Sequence, residues 1–336
     1  MKTSLLAQIV IILCTAALFV GFFVTDKNSE YGVSSKSIGS KKIINNINRI
    51  AVIELEGTIA SSYETNFFSG DASASNLLKS LKDAALDNSI KGVIIKINSP
   101  GGTVAMSQNI YNQIMKIRNS KPVIAVFDDV AASGGYYIAS AADRIIAQNG
   151  TLTGSIGVIF SFMDYHNLLA HKLDVNPVVI KSGKYKDIGS GLRQMTDEER
   201  TLMQNIINDS YEQFIQAITN GRINREDVYD VQKSNLTVDV LKENADGRVF
   251  TGRQAQKLGF VDAIGDIDTA ESMIEKMVQK KFQNSFKVKL VNYNKKSALN
   301  EYFSSFTEYV AKNTLKFSDF IPSSIILNRK PLYLWE

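Results

Sequence analysis

The sequence predicts an α/β fold made of βαβ units, and three features carry that prediction. Short, bounded apolar runs rich in β-branched residues are typical of buried strands, and three of them lie in the first half of the chain. Segments with apolar residues at helical spacing separate these runs, and glycine- or serine-rich turns follow them. This order of strand, turn, helix and strand is typical of parallel sheets with right-handed crossovers, whose sites lie beyond the strand ends.

The predicted elements follow one another from residue 50 to residue 280. In the first helix, Leu77, Leu78 and Leu81 have helical spacing, and Thr196 and Glu199 have the spacing of a capping box at the start of a long helix. Strands are expected at 50–55, 92–97 and 122–127, and a strand-like run at 177–180. Helices are expected at 75–85, 105–118, 136–142, 164–172, 196–221, 253–258 and 269–280.

Composition excludes several classes of function. The chain has 336 residues, of which 44% are hydrophobic, and a formal net charge of +4 without a basic stripe, so we do not expect a nucleic-acid partner. Cys14 is the single cysteine, which excludes an internal disulfide and a cysteine-based metal site. With His166 and His171 as the two histidines, a histidine-rich metal site is also excluded. We expect no metal and no cofactor.

The N-terminus predicts a membrane anchor. Residues 5–24 contain no charged side chain, and that length crosses about 30 Å of hydrocarbon as a helix. Lys2 favours an N-inside orientation, which leaves the bulk of the chain outside the cytoplasm. A cleaved secretory signal is the alternative, but the apolar run is longer than a usual signal core and lacks a clear cleavage site. Residues 25–47, rich in Ser, Lys, Asn and Gly, are expected to form a flexible tether.

The turn at 130–137 presents one serine, Ser133, between an apolar strand and an apolar helix. Gly134 and Gly135 follow it and lack a Cβ, so a substrate backbone can approach closely. N–H groups at the start of the helix face the same cavity, where the helix dipole favours negative charge. Ser133 is therefore a candidate nucleophile, although a serine followed by two glycines is also common in plain tight turns.

A nucleophilic serine needs a base to take its proton, and histidine is the usual one. His166 and His171 lie among polar residues on a predicted helix, which favours a solvated surface over catalysis. A lysine can serve instead when burial lowers its pKa from about 10.4 towards about 7–8. The segment 180–188 contains Lys181, Lys184 and Lys186, which side-chain chemistry alone does not rank, and a plain surface loop is the alternative.

Ser155 is a further candidate, in a motif whose apolar flanks indicate a strand or turn near the core. Its hydroxyl could accept a hydrogen bond from an ammonium group and fix the direction of the lysine. A β-bulge that uses glycine only for its shape is an equally good interpretation.

Four motifs occur in a characteristic order: NSPGG at 98–102, AASGGYY at 131–137, LTGSIG at 152–157 and KSGKYKD at 181–187. Together they closely resemble the signal peptide peptidase A family, the protease IV-type serine peptidases of bacterial membranes. The resemblance extends from about residue 50 to residue 277 and includes 247–252. Each motif occurs once, as in the short, single-domain form of that family.

The resemblance implies a Ser–Lys dyad on a crotonase- or Clp-protease-like α/β fold of repeated ββα units. In that assignment Ser133 is the nucleophile, Lys186 is the general base and Ser155 orients the lysine. The N–H groups of Gly102 and Gly134 form the oxyanion hole, whose donors can each contribute several kcal/mol.

The resemblance also implies where the protein acts and on what. It implies a membrane-bound endopeptidase of the bacterial inner (cytoplasmic) membrane, which degrades signal-peptide remnants left after secretion. Such substrates are apolar and bind in extended form by strand pairing. Short-form members need neighbouring subunits to complete a bowl-shaped homo-oligomer, for which we expect an octamer.

We therefore expect an anchor at 1–24, a tether at 25–47, a catalytic domain at 48–283 and a tail at 284–336 whose packing the sequence does not reveal. Two other functions are compatible with the same fold. A crotonase-like acyl-CoA enzyme is disfavoured because CoA thioesters are cytoplasmic. A non-catalytic membrane scaffold is disfavoured because Ser133 and Lys186 are both present.

Overall fold

A computed structural model describes residues 47–61, 73–226 and 228–294. The chain divides into two compact units, Met1–Asn45 and Asn46–Glu336, and every described residue belongs to the second. The predicted anchor at 1–24 and all but the last residue of the predicted tether lie outside the described residues. Among the helices of the described part, none is both long and apolar enough to span a bilayer.

Eight described strands form one sheet in which β1 to β3 lie at the centre. Its main path runs in the order β6-β5-β3-β2-β1-β8, while β4 pairs with β3 and with β7. The pairs β1–β2, β2–β3 and β3–β5 are parallel, which confirms the predicted α/β class. The strands are β1 (Asn48–Glu56), β2 (Ile90–Ser99), β3 (Val123–Ala132), β4 (Arg144–Ala147), β5 (Leu152–Gly154), β6 (Val249–Thr251), β7 (Ala263–Ile264) and β8 (Val288–Asn292).

Seven of the eight described helices lie close to their predicted positions, and the helix at Val238–Asn244 was not predicted. The capping box of Thr196 and Glu199 begins the long helix Asp197–Ile218, which ends before a π-helical turn at Thr219–Ile223. The described helices are α1 (Ala74–Leu86), α2 (Val104–Arg118), α3 (Gly134–Ala139), α4 (His166–Lys172), α5 (Asp197–Ile218), α6 (Val238–Asn244), α7 (Gly252–Leu258) and α8 (Ile267–Phe282).

Both faces of the central sheet are buried, as parallel sheets require. Successive residues of β2 point to opposite faces, so Ile95 joins the larger core with α1 and α2, and Ile94 joins a second core with α8. Leu81 and Ile110 belong to the first core and Ile274 to the second, all fully buried. Burying a side chain of this size contributes about 1.5–3 kcal/mol.

Two segments differ from simple expectation. The run at 177–180 is not a strand, because it pairs with none of the described strands, and Ile180 is 97% exposed. At the other end, β8 pairs in parallel with β1, so the sheet continues beyond residue 283 into the segment expected to be a tail. Residues 295–336 lie outside the described part.

Candidate active site

Three of the four sequence motifs meet at one edge of the sheet. Strands β2, β3 and β5 are neighbours, and each ends in a motif: β2 at Ser99, β3 at Ala132 and β5 at Gly154. Because the strands are parallel, the turns that follow them lie at the same end of the sheet. This is the position at which open α/β sheets carry their sites.

Ser133 has a backbone conformation that exposes its side chain. Its φ is 51° and its ψ is −118°, a left-handed conformation that costs a residue with a Cβ about 1–3 kcal/mol. The Ser133 N–H donates to the carbonyl of Gly154 at 2.9 Å, and α3 begins at the next residue. The tight turn between a buried strand and a buried helix therefore leaves the serine half-buried, with its hydroxyl in a cleft.

The glycine turn after β2 packs directly against this serine turn. A Cβ on Gly101 would lie 2.8 Å from the Gly134 nitrogen and 2.9 Å from the Ser133 Cβ. A Cβ on Gly134 would lie 3.2 Å from the Gly102 nitrogen. Among the described residues, neither the Gly102 N–H nor the Gly134 N–H donates a hydrogen bond, and both glycines line the same cleft as Ser133.

Ser155 lies in the same cleft as Ser133. It also has a φ of 51°, and its N–H donates to the carbonyl of Arg248 at 2.8 Å. The cleft has a volume of about 360 Å³. Its walls are formed by Pro100, Gly102, Val104, Ser107, Ser133, Gly134, Tyr137, Ser155, Gly157, Val158, Ile159, Ser210, Phe214 and Gly247.

An aromatic pair forms the apolar wall of the cleft. The rings of Tyr137 and Phe214 lie 4.9 Å apart, and both side chains are largely buried. Burial raises the pKa of Tyr137, which keeps that hydroxyl neutral. Sequence reasoning missed that Ser210 and Phe214 of α5 line this cleft, because they belong to no motif and follow Ser133 at long range.

The three candidate lysines differ in their surroundings. Lys181 donates to Asp187 Oδ1 at 2.6 Å, and an ion pair with Glu198 raises the pKa of Lys184. Lys186 is exposed and, among the described residues, its ammonium has no hydrogen bond or ion pair. It does not line the cleft of its own chain.

The histidines lie outside the cleft too: His166 contacts Asp164 at 2.6 Å, and His171 is exposed. The described residues also contain no cluster of three or more His, Cys, Asp or Glu side chains that could hold a metal ion.

Comparison with known proteins gives the family. Residues 116–281 match the model of peptidase family S49, and residues 61–149 match that of Clp protease. A Synechocystis sp. protein named as a protease, slr0021, is 41% identical over 222 residues, which are 66% of this chain and 72% of that protein. An Enterococcus faecium protein named as the signal peptide peptidase SppA is 34% identical over 255 residues, 75% of this chain and 67% of that one.

Among solved structures, a mutant of the 1510-N membrane-bound stomatin-specific protease is similar with a TM-score of 0.45 and 17% identity, over 73% of this chain and 98% of that one. The family assignment comes from the sequence matches above, and it agrees with the serine cleft at the strand ends. This chain belongs to peptidase family S49 and is a serine peptidase.

Proposed function

We propose that this peptidase is a membrane-anchored endopeptidase that degrades cleaved signal peptides with a Ser133–Lys186 dyad. The observation that carries the proposal is the cleft in which Ser133, Ser155 and the backbone of Gly102 and Gly134 meet. The fold is proposed to be the crotonase-like variant of the α/β class, with repeated ββα units and one transmembrane helix before residue 25.

The cleft supports acyl transfer in two steps. The Ser133 hydroxyl attacks the peptide carbonyl while the neutral amine of Lys186 accepts its proton. The oxyanion that forms accepts hydrogen bonds from Gly102 and Gly134, and one such donor typically supplies about 2.7–4 kcal/mol. The lysine ammonium then protonates the leaving amine, and a water molecule hydrolyses the acyl-serine by the same route, which restores the Ser133 hydroxyl.

The base is proposed to come from a neighbouring copy of the chain. No residue between 157 and 198 is buried within the chain, although this segment is rich in apolar side chains. Ile159 and Val178 are each 86% exposed, and Ile180 is 97% exposed. Soluble monomers rarely expose so many large apolar groups close together. A homo-oligomer, proposed as an octamer, would cover this segment and carry Lys186 to the next Ser133 cleft.

The substrate proposal rests on the cleft walls and on the relatives. Val104, Tyr137, Val158 and Phe214 give the cleft an apolar lining, which suits the side chains of a signal-peptide core. One relative carries the name of a signal peptide peptidase, and the uncharged run at 5–24 would hold the enzyme at the membrane where such peptides remain. The catalytic domain would lie outside the cytoplasm.

The full chain in detergent, incubated with a fluorogenic signal-peptide substrate, tests the proposal. We expect Ser133→Ala and Lys186→Met each to abolish cleavage while the far-ultraviolet circular dichroism stays unchanged. A serine-directed fluorophosphonate should label Ser133 in the wild type. Lys79→Met serves as the matched control, because Lys79 is an exposed lysine of α1 that does not line the cleft, and it should retain activity. Undiminished turnover in Lys186→Met would refute this base.

A further inference from the structure

Arg193 connects the lysine-bearing loop with the first turn of α5. Its Nε donates to Asp187 Oδ2 at 2.9 Å, and its Nη2 donates to Asp187 Oδ1 at 2.7 Å. On the other side, its Nη1 donates to Glu199 Oε2 at 2.8 Å, and its Nη2 also contacts Oε1. A guanidinium with a two-point contact to each of two carboxylates is held in one orientation.

Glu199 is the fixed end of this connection. Its side chain is only 2% exposed, and it accepts from the Thr196 N–H at 3.0 Å. In return the Glu199 N–H donates to the Thr196 hydroxyl at 3.2 Å, which completes the capping box of α5. The same carboxylate therefore begins the helix and binds Arg193, so the position of Arg193 is tied to the helix.

Asp187 is the loop end of this connection, and it directly follows Lys186. Its carboxylate also accepts from Lys181 Nζ at 2.6 Å, and Lys181 Nζ in turn donates to the carbonyl of Lys184 at 2.9 Å. The N–H of Lys186 donates to the carbonyl of Gly183 at 3.2 Å. The loop backbone is thus fixed on both sides of Lys186, while its own ammonium has no polar partner among the described residues.

The charged groups around the loop leave Lys186 as the lysine that is not held by a carboxylate. Lys181 pairs with Asp187, and Lys184 pairs with Glu198, which the Tyr185 hydroxyl also contacts. No residue from 157 to 198 is buried, so this loop is held in place by ion pairs and not by a hydrophobic core. Removal of the Arg193 guanidinium would break the connection between Asp187 and α5, while the contacts of Lys184 and Tyr185 with Glu198 would remain.

We propose that Arg193 is a positioning residue for Lys186: it holds Asp187 against Glu199 and so fixes the loop in the conformation that extends Lys186 towards the Ser133 cleft it serves. The inference rests on the proposed function, in which Lys186 is the base. The Lys186 side chain has no polar partner among the described residues, so its direction depends on the conformation of its backbone. A small displacement of a reacting group costs about a hundredfold in rate.

The test compares Arg193→Gln with Arg200→Gln, which removes an exposed arginine one residue beyond Glu199. We expect Arg193→Gln to lower kcat about a hundredfold with KM changed less than about twofold, because alignment of the base is lost and substrate binding is not. Its pH–rate profile should also differ from that of the wild type, because the base no longer lies in its wild-type position. Arg200→Gln should keep the wild-type kcat and profile.

A purely structural role would lower the thermal midpoint of Arg193→Gln but leave the kcat of the folded enzyme and its pH profile unchanged, and that result would overturn the inference. If Arg193→Gln does not fold, Asp187→Asn decides the question, because it removes the carboxylate through which Arg193 holds the loop and leaves the Arg193–Glu199 pair and the capping box in place. Wild-type kinetics in Asp187→Asn would also overturn it. Failure of the proposed function is recognised separately, by full activity in Ser133→Ala or Lys186→Met.

Discussion

Ser133 and Ser155 follow the ends of two paired parallel strands, and both have the same left-handed φ of 51°. Ala132 of β3 pairs with Gly154 of β5, so each serine directly follows one member of that pair. The Ser133 N–H donates to the Gly154 carbonyl at 2.9 Å, which joins the two turns. Strained backbone that occurs twice beside one cleft is typical of a functional site and brings both hydroxyls to the same space.

Ser155→Ala is expected to lower kcat by about ten- to a hundredfold with little change in KM, because it removes the hydroxyl that would orient the lysine. The fold should persist, since a φ of 51° costs alanine and serine a similar conformational free energy. Steady-state kinetics on a fluorogenic peptide measure the effect. Ser155→Thr retains a hydroxyl and should recover part of the lost rate. A wild-type kcat in Ser155→Ala would mean that Ser155 contributes only to the backbone conformation of its turn.

Gly101→Ala is expected to abolish activity and to destabilise the fold by about 1–3 kcal/mol. Its φ is 110°, and the added methyl group would lie 2.8 Å from the Gly134 nitrogen, one of the two proposed oxyanion donors. Cleavage assays and urea unfolding measure the two effects. Gly150→Ala is the matched control, because its Cβ would meet no atom within 4 Å. Equal behaviour of the two variants would mean that the turn has room to adapt.

Phe214→Leu is expected to change which side chain is accepted next to the scissile bond. Phe214 lies on α5, lines the cleft and packs against Tyr137. A smaller residue at this position therefore leaves a larger apolar pocket. We expect a shift in kcat/KM of about 10–200-fold towards bulkier side chains, the usual effect of about one methylene in an apolar pocket. A peptide-library cleavage profile measures it. An unchanged profile would place the selective pocket elsewhere.

Acid should weaken the start of α5 through Glu199. Arg193, followed by the Thr196 N–H, lowers the pKa of Glu199 from 4.5 to about 2. Because the folded value lies below the unfolded one, this ionised carboxylate contributes stability that is fully present above about pH 4.5 and is lost as the pH falls towards 2. The thermal midpoint of the wild type should therefore fall more steeply in this window than that of Glu199→Gln. Parallel midpoint curves would contradict the assignment.

The central strands and helices could be predicted because each has a local sequence pattern that is typical of its type. The apolar runs at 92–97 and 122–127 became β2 and β3, and the Thr196–Glu199 spacing became a capping box. Pairing across long sequence separations could not be predicted. The parallel pairing of β8 with β1 joins residues some 240 positions apart, and no local signal specifies it.

The candidate site, like the fold, could be predicted only in part. Glycine and serine motifs at strand ends could be identified because the chemistry requires small residues there, and the structure brings those turns into one cleft. Phe214 was missed because a core-facing phenylalanine on a helix has no distinguishing pattern. The partner of Lys186 could not be inferred either: under the proposed function, this lysine completes a site in another copy and has no counterpart within its own chain.

Two inactive variants should restore each other if Lys186 acts on the Ser133 of a neighbouring copy. Ser133→Ala keeps the lysine and Lys186→Met keeps the serine, so a mixed oligomer contains complete sites at their junctions. In a closed ring assembled at random from equal amounts, about a quarter of the sites are complete.

The two variants are co-expressed with different affinity tags, and the mixed oligomer is purified through both tags in succession. About a quarter of the wild-type rate per chain is expected, because each complete site works independently. Each variant purified alone through the same two steps, with both tags on one sequence, is the control and should be inactive. If the mixed oligomer is also inactive, the base acts within its own chain, since a dyad confined to one chain is never complete in either variant.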